Sequence, residues 1–162
     1  MADVTLPQGA AAETAGGPSP RSDEEVSKLK DLHASLVDTR EGCDKMVEKA
    51  EADFVAVAAD FRSLHQLQAE RVRAILSAMG EDPGAEGGTV MGSVNRAVVE
   101  VRSWFDDIGH NVVEALADGE KRLLQDFEAA IAASPSVERR GMLDRMRGEI
   151  VTLLQRHAPG TL

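Results

Sequence analysis

The sequence is poor in aromatic residues and shows no pattern typical of strands. Aromatic residues make up 3% of its 162 residues, and tyrosine is absent. Small and aliphatic side chains must therefore fill the core, which favours helices packed on helices over a sheet rich in aromatic and β-branched residues. Alternating apolar and polar residues and hairpin dipeptides between apolar runs are also missing. The sequence predicts an all-α protein.

Cysteine and long apolar runs are scarce as well. Cys43 is the single cysteine, so an internal disulfide is excluded, and neither a structural zinc site nor an oxidising compartment is indicated. No apolar run approaches the ~18 residues that a membrane-spanning helix needs. Residues 1–21 are rich in Ala, Gly, Pro and Ser and lack a secretion signal, which predicts a disordered tail on a cytoplasmic protein. Residues 22–162 are long enough to form one domain with a core.

Acidic residues outnumber basic residues by 28 to 18, which gives a formal net charge of -10. A surface of this sign repels phosphate backbones. The most basic stretch, residues 138–147, is interrupted by acidic residues and is interpreted as a solvated helix face. We therefore do not expect nucleic acid as a partner.

Four amphipathic helices are predicted from the spacing of apolar residues. The first begins at the capping box SDEE, with Ser22 as its N-cap, and runs to about Lys49. The second stops at Gly80, before a Gly-rich loop. The third covers residues 111–133 and the fourth covers residues 136–157.

The boundary between the first two helices leaves two interpretations open, because no Gly or Pro separates them. The stretch EKAEAD at residues 48–53 interrupts the larger apolar residues and favours a turn. Alternatively, residues 22–79 form one continuous helix of a long coiled coil. In that case the protein is a scaffold, or an amphipathic coat on an apolar surface.

The connection between the second and third helices contains a further helical pattern. The stretch GSVNRAVVEVRSWF, residues 92–105, predicts an extra short helix that begins at Ser93 and places Trp104 at the end of the core. Four apolar stripes joined by these connections are buried most simply in an up-and-down four-helix bundle. The fold expected is therefore such a bundle with a short helix in its crossover.

Four ionisable residues fall on apolar seams near the middle of this bundle: Arg40, His65, Glu120 and Glu149. Glu120 directly follows Gly119, and a glycine beside a buried polar layer leaves room for a neighbouring helix, a water or an ion. Buried charges are stable only when they are paired, hydrogen-bonded or bound to metal. We expect Arg40 to pair with Glu120. The alternative is a single metal ion on His65, Glu120 and Glu149.

Three stretches of the chain carry a family resemblance. They are LKDLHASLVDTREGCDKM, then AILSAMGEDP with the Gly-rich loop and tryptophan helix after it, and ALADGEKRLLQDFEAAI. Over about residues 25–157 the chain resembles a bacterial family of uncharacterised, ferritin-like four-helix-bundle proteins. The resemblance implies a ferritin-like fold, no established activity and a link to stress conditions. It also implies fold relatives that hold two metal ions between their helices.

The residues depart from the di-iron pattern of such bundles, in which two helices supply Glu and two supply Glu-x-x-His. Glu120 matches a ligand position, but Arg40 occupies the seam of the first helix, and the second helix reads His65-x-x-Gln68. In the fourth helix, Thr152 follows Glu149 by three residues. We therefore expect no full di-iron site and no cofactor, with iron or manganese as the alternative.

No catalytic residues are predicted, because no Ser-His-Asp arrangement, phosphate-binding loop or zinc motif is present. The function expected is that of a non-catalytic, stress-related bundle that binds a protein partner or forms a homo-oligomer. The alternative is an oxidoreductase or metal-handling bundle with a reduced metal site.

Overall fold

The computed structural model describes residues 20–49, 52–83 and 112–160. These residues form four helices and no strand. The helices are α1 (Asp23–Lys49), α2 (Ala52–Ala78), α3 (Val112–Ala133) and α4 (Val137–His157). Within these three ranges the predicted all-α class is confirmed.

Two expectations fall largely outside the described ranges. The short helix predicted at residues 92–105 lies between α2 and α3, and of the predicted tail only Pro20 and Arg21 are described. Both of these residues contact the helices. Arg139 donates to the carbonyl of Pro20, and Arg21 donates to the carbonyl of Met79. The short helix and the disordered tail stay predictions.

Helix α1 begins at the capping box read from the sequence. The backbone N–H of Glu25 donates to the Ser22 hydroxyl at 3.0 Å, and the N–H of Val26 donates to the Ser22 carbonyl at 3.1 Å. In return, the Glu25 carboxylate accepts a hydrogen bond from the backbone of Ser22. The acidic side chains of the first turn also complement the positive end of the helix dipole. The predicted start of the first helix is confirmed.

Helices α1 and α2 form an antiparallel hairpin. Helix α1 ends and α2 begins within the stretch 48–53, where the turn was expected. Lys30, early in α1, contacts Glu81 just beyond α2 at 2.9 Å, and Arg40 further along contacts Gln66 at 2.8 Å. The predicted turn is confirmed. The single long helix is wrong, and the scaffold or coat function therefore loses the structure on which it was based.

The four helices surround the core in the order α1, α2, α4, α3. The start of α1 meets the end of α3, where the Ser22 hydroxyl donates to the Ala133 carbonyl at 3.4 Å. The end of α4 meets the start of α2, where His157 lies 2.9 Å from Asp60. Each helix is therefore antiparallel to both of its neighbours. It follows that α2 and α3, at opposite corners, run in the same direction.

The expected up-and-down order is thus correct for α1 with α2 and for α3 with α4, but wrong for α2 with α3. Short connections force consecutive helices to be antiparallel. The turn between α3 and α4 is short, whereas 33 residues separate Ala78 from Val112. A connection of that length does not determine the direction of the next helix.

Apolar side chains from all four helices meet in one core. Phe61 of α2 and Phe127 of α3 are its largest fully buried members. The helical spacing of the buried residues confirms the predicted stripes. The apolar residues with no solvent exposure are Leu29, Leu32, Leu36, Ala58, Phe61, Val72, Leu76, Phe127, Ala130, Leu143, Ile150 and Leu154.

Among the described helices, none is long and apolar enough to cross a membrane.

Candidate functional site in the bundle core

A histidine and a glutamate meet across the core. His65 of α2 and Glu120 of α3 are both 0% exposed, and His65 Nε2 lies 2.8 Å from Glu120 Oε1. Each residue occupies the place on an apolar seam that helical spacing gave it. The structure therefore brings together two of the four ionisable residues that the sequence placed in the core.

The pair is not fully hydrogen-bonded. Among the described residues, His65 Nδ1 and Glu120 Oε2 have no partner, although both atoms are buried. Gln68, one turn beyond His65 on α2, is also fully buried, and its Oε1 atom has no partner. A buried polar atom without a partner costs ~1–3 kcal/mol. The core thus contains a polar layer, His65, Gln68 and Glu120, whose bonding the described side chains do not complete.

Arg40 does not pair with Glu120, so this prediction is wrong. The Arg40 guanidinium donates to Gln66 Oε1 at 2.8 Å and lies 3.8 Å from Glu41. The register of the α1–α2 hairpin places Arg40 beside Gln66, and its side chain is 20% exposed. At this edge of the bundle the Arg40 guanidinium contacts Gln66 and Glu41. The residue that lies beside Glu120 is His65.

On α1, Cys43 lies close enough to Glu120 for the charge of this carboxylate to affect the pKa of its thiol. Its side chain is buried in the core. Burial, together with the negative charges of Glu120 and Asp44, raises the pKa of the Cys43 thiol to about 12, while the charge of Arg62 acts in the opposite direction. Cys43 thus packs as a small residue of the core. A thiol with such a pKa is not a nucleophile near neutral pH.

Glu149 lies away from the His65–Glu120 pair. Arg71 of α2 donates to both of its carboxylate oxygens at 2.9 Å, and Gln68 donates to one of them at 3.1 Å. The Gln68 amide also donates to the Met146 carbonyl at 2.8 Å. Glu149 is 38% exposed, in contrast to Glu120. Glu149 therefore does not join Glu120 in the buried layer, although both residues were placed near the middle of the bundle.

The register of α3 against α4 explains this difference. Arg147 of α4 lies 3.2 Å from Glu128 of α3. In an antiparallel pair with that register, Glu120 is level with Gln155, about 9 Å along the axis from Glu149 at 1.5 Å per residue. Helical spacing alone places a residue on a face of its helix, but it does not give this register.

The donors present do not fit the metal site of a di-iron bundle. Within the described ranges, no group of three or more His, Cys, Asp or Glu side chains is close enough to hold a metal ion. His65 and Glu120 bond to each other, and Glu149 is bonded to Arg71. Two donors fall short of the carboxylates and histidines that a di-iron centre requires. The predicted ligand set His65, Glu120 and Glu149 is not assembled in this structure.

A model of the family described as Domain of unknown function (DUF2383) matches residues 24–133. The chain belongs to the DUF2383 family. No curated protein and no solved structure matches the chain. The residues matched by the DUF2383 model include α1, α2 and α3, and therefore Cys43, His65 and Glu120. The resemblance to an uncharacterised family is confirmed over residues 24–133.

Helix α4 lies beyond the DUF2383 match but completes the bundle. Its Glu149 accepts hydrogen bonds from Arg71 and Gln68, and its Arg139 forms an ion pair with Glu25 near the start of α1. The fully buried polar residues of the DUF2383 segment thus depend in part on a helix outside that segment. The candidate site comprises residues from all four helices.

Glu25 forms a second buried polar cluster, at the end of the bundle where α1 begins. Arg139 donates to its two carboxylate oxygens at 2.8 and 2.9 Å, and the Ser134 hydroxyl also donates to the carboxylate. Burial alone would raise the pKa of Glu25, but the bonds from Arg139 and Ser134 outweigh burial and hold the pKa below its usual value. The sequence showed Glu25 as part of a capping box, and gave no sign of Arg139.

A third contact that the sequence did not reveal involves His157. This residue ends α4, as expected, and it also lies 2.9 Å from Asp60 of α2. Its ring centroid is 6.1 Å from that of Phe61, which in turn is 6.1 Å from the ring of His65. The contact depends on the α2–α4 register, which no local pattern reports.

Proposed function

We propose that this protein is a ferritin-like, non-catalytic helical bundle of the bacterial cytoplasm. It acts by binding a protein partner, and the first partner we propose is a second copy of the same chain. The observation behind this proposal is the complete burial of His65, Gln68 and Glu120. A catalytic group must reach its substrate, whereas His65 and Glu120 bond to each other and Gln68 bonds to Met146 and Glu149. The outer surface is therefore where the protein meets other molecules.

The ferritin-like part of the proposal is supported by helix directions. Two antiparallel hairpins, α1–α2 and α3–α4, join so that α2 and α3 run in parallel. A bundle of this kind needs one long connection from one end to the other, which is the connectivity of ferritin-like folds. We assign the stress-related role on the resemblance of the sequence alone.

A protein partner fits the surface better than a nucleic acid does. The chain has a net charge of -10, which opposes binding to phosphate backbones. Leu67 of α2 is 43% exposed and Val137 of α4 is 75% exposed, and they are the exposed large hydrophobic residues of the described ranges. Leu67 lies within the body of a helix, where a partner helix could pack against it.

Sedimentation velocity of the full chain over a wide concentration range tests this proposal. We expect a species heavier than the 17.3 kDa monomer that grows with concentration and persists in a chelator. Leu67→Glu should shift the distribution towards the monomer, whereas Val137→Glu, at the exposed start of α4, is the matched control. A monomer at every concentration would contradict self-association.

A second candidate function, a metal-handling bundle with a reduced site, is favoured by the partnerless atoms His65 Nδ1 and Glu120 Oε2. Iron or manganese would need Glu149 as a third ligand, and Glu149 would have to leave Arg71. Metal analysis of protein purified without chelator or affinity-tag metal separates the two functions. We expect no stoichiometric metal. Stoichiometric iron or manganese that is lost in Glu120→Ala would replace the first proposal with the second.

A further inference from the structure

Two buried polar pairs connect helices that are not neighbours in the bundle. His65 of α2 and Glu120 of α3 meet across one diagonal, and Glu25 of α1 and Arg139 of α4 meet across the other. His65, Glu120 and Glu25 are 0% exposed, and the Arg139 side chain is 12% exposed. Diagonal contacts of this kind depend on the direction and register of all four helices at once.

Stability does not by itself explain these pairs. Replacing a buried ion pair by well-packed apolar residues is often neutral or stabilising, because the charges no longer have to leave water. The partnerless His65 Nδ1 and Glu120 Oε2 atoms add to the cost. Leucine at both positions would continue the apolar seams, which contain Phe61 and Val72 on α2 and Leu116 and Leu123 on α3.

We infer that the diagonal pairs select one arrangement of the α3–α4 hairpin on the α1–α2 hairpin. The main competitor is the inverted hairpin, with α3 antiparallel to α2, which is also the order that short connections would produce. Inversion moves Arg139 to the far end of the bundle from Glu25. The Glu25–Arg139 pair is then lost, and the parallel register of α2 and α3 that brings Glu120 to His65 is lost with it.

Neither the packing of the core nor the connection between α2 and α3 makes this choice. The core contains few aromatic residues and consists mainly of Leu, Ala, Val, Ile and Met, whose packing is tolerant of rearrangement. The 33 residues between α2 and α3 can extend to ~110 Å, and a 22-residue helix is ~33 Å long, so the connection permits either direction. An unpaired buried charge, by contrast, disfavours the wrong arrangement by two to three orders of magnitude.

Distances between spin labels on α2 and α3 report the arrangement directly. Ser77 at the end of α2 and Ala132 at the end of α3 are both exposed, and the structure places them at the same end of the bundle. Ala56, near the start of α2, is exposed at the other end. Labels at Ser77 and Ala132 should give one short distance, and labels at Ala56 and Ala132 one long distance. Cys43→Ala removes the native thiol.

The decisive variant makes both pairs apolar in the full chain: His65→Leu, Glu120→Leu, Glu25→Leu and Arg139→Leu. We expect it to fold, and to show a second population in which the long and short distances are exchanged. Leu123→Met, a volume-conserving change in the same core, should keep the single distances. A single wild-type distance in the fourfold variant would overturn the inference.

An exchange of the two core residues keeps the test informative if the fourfold variant does not fold. His65→Glu alone places two carboxylates together and should lower the melting temperature and broaden the distances. Adding Glu120→His restores a pair of opposite polarity, and should recover the single distance and most of the melting temperature. Failure of the second change to rescue the first would also overturn the inference.

Discussion

Cys43 lies on α1 with its thiol enclosed by the core. Burial, with Glu120 and Asp44 nearby, raises the pKa of this thiol to about 12. At pH 8 about one thiol in ten thousand is then ionised. We expect iodoacetamide to modify the folded protein far more slowly than the protein unfolded in guanidinium. Equal rates in the two states would show that the thiol is accessible.

Asp126 of α3 is a second residue whose surroundings oppose its charge. Burial raises the pKa of Asp126, and Asp31 raises it further, while a hydrogen bond from Ser35 and the charge of Lys28 act in the opposite direction. The folded state thus binds the proton more tightly than the unfolded state. The free energy of unfolding therefore falls as the pH rises from the usual aspartate pKa through the raised value.

Asp126→Asn tests this effect, since the amide oxygen can still accept the hydrogen bond from Ser35. The variant should have a higher free energy of unfolding than wild type at neutral pH, and the difference should vanish at acidic pH. Urea unfolding at several pH values measures both. An exposed acid on the same helix, Glu128→Gln, serves as control. A variant that is less stable than wild type at pH 7 would contradict the assignment.

For single residues, the sequence could predict burial, because helical spacing determines which face of a helix a residue lies on. Spacing placed His65 and Glu120 on apolar seams, and the structure buries both. It could not identify their partners, because a partner depends on the register between helices. For this reason Arg40 was matched with Glu120 and Arg139 was not matched with Glu25.

At the level of the helices, local signals were sufficient. The capping serine of α1 and the turn before α2 depend on neighbouring residues only, and so does the stop of α2 at Gly80. Gly80 has a φ of 78°, which glycine adopts without strain. The glycines inside α4 are different. Gly148 directly precedes Glu149, as Gly119 precedes Glu120, but a Cβ atom at Gly148 would meet nothing within 4 Å.

Gly141 and Gly148 are therefore sites where α4 can be stabilised. Both lie inside the helix, and a methyl group at either position meets open space. Gly141→Ala and Gly148→Ala should each raise the free energy of unfolding by ~0.5–1 kcal/mol, because alanine restricts the unfolded chain and favours the helix. Thermal unfolding followed by circular dichroism measures the change. Gly80→Ala should lower stability, because Gly80 has a positive φ. A loss of stability in Gly148→Ala would show that another group occupies the space beside Gly148.

Over the whole molecule, the arrangement of the helices was the least predictable feature. The sequence supplied four stripes and the correct hairpins, because short connections fix the direction of the next helix. It did not supply the parallel order of α2 and α3, which depends on contacts between distant residues. Two of those contacts, His65 with Glu120 and Glu25 with Arg139, hold opposite corners of the bundle together.

The Glu25–Arg139 pair gives the bundle a defined response to acid. The folded pKa of Glu25 lies below its ordinary value of 4.5. Its contribution to stability is therefore fully present above that value, and is lost as the pH falls through the lowered pKa. Glu25→Gln should lower the free energy of unfolding by ~3 kcal/mol at pH 7, since Arg139 then loses the charge of its partner. The deficit should shrink as the pH falls below 4.5.

Urea unfolding of wild type and Glu25→Gln between pH 3 and pH 7 measures this response. Glu24→Gln is the matched control, because Glu24 is exposed on the same turn of α1 and should change stability by less than ~0.5 kcal/mol. If Glu25→Gln matches wild type at neutral pH, or keeps the same deficit at pH 3, the link between α1 and α4 does not stabilise the bundle through the charge of Glu25. If the deficit closes with acid, one carboxylate at the end of the bundle couples the first helix to the last.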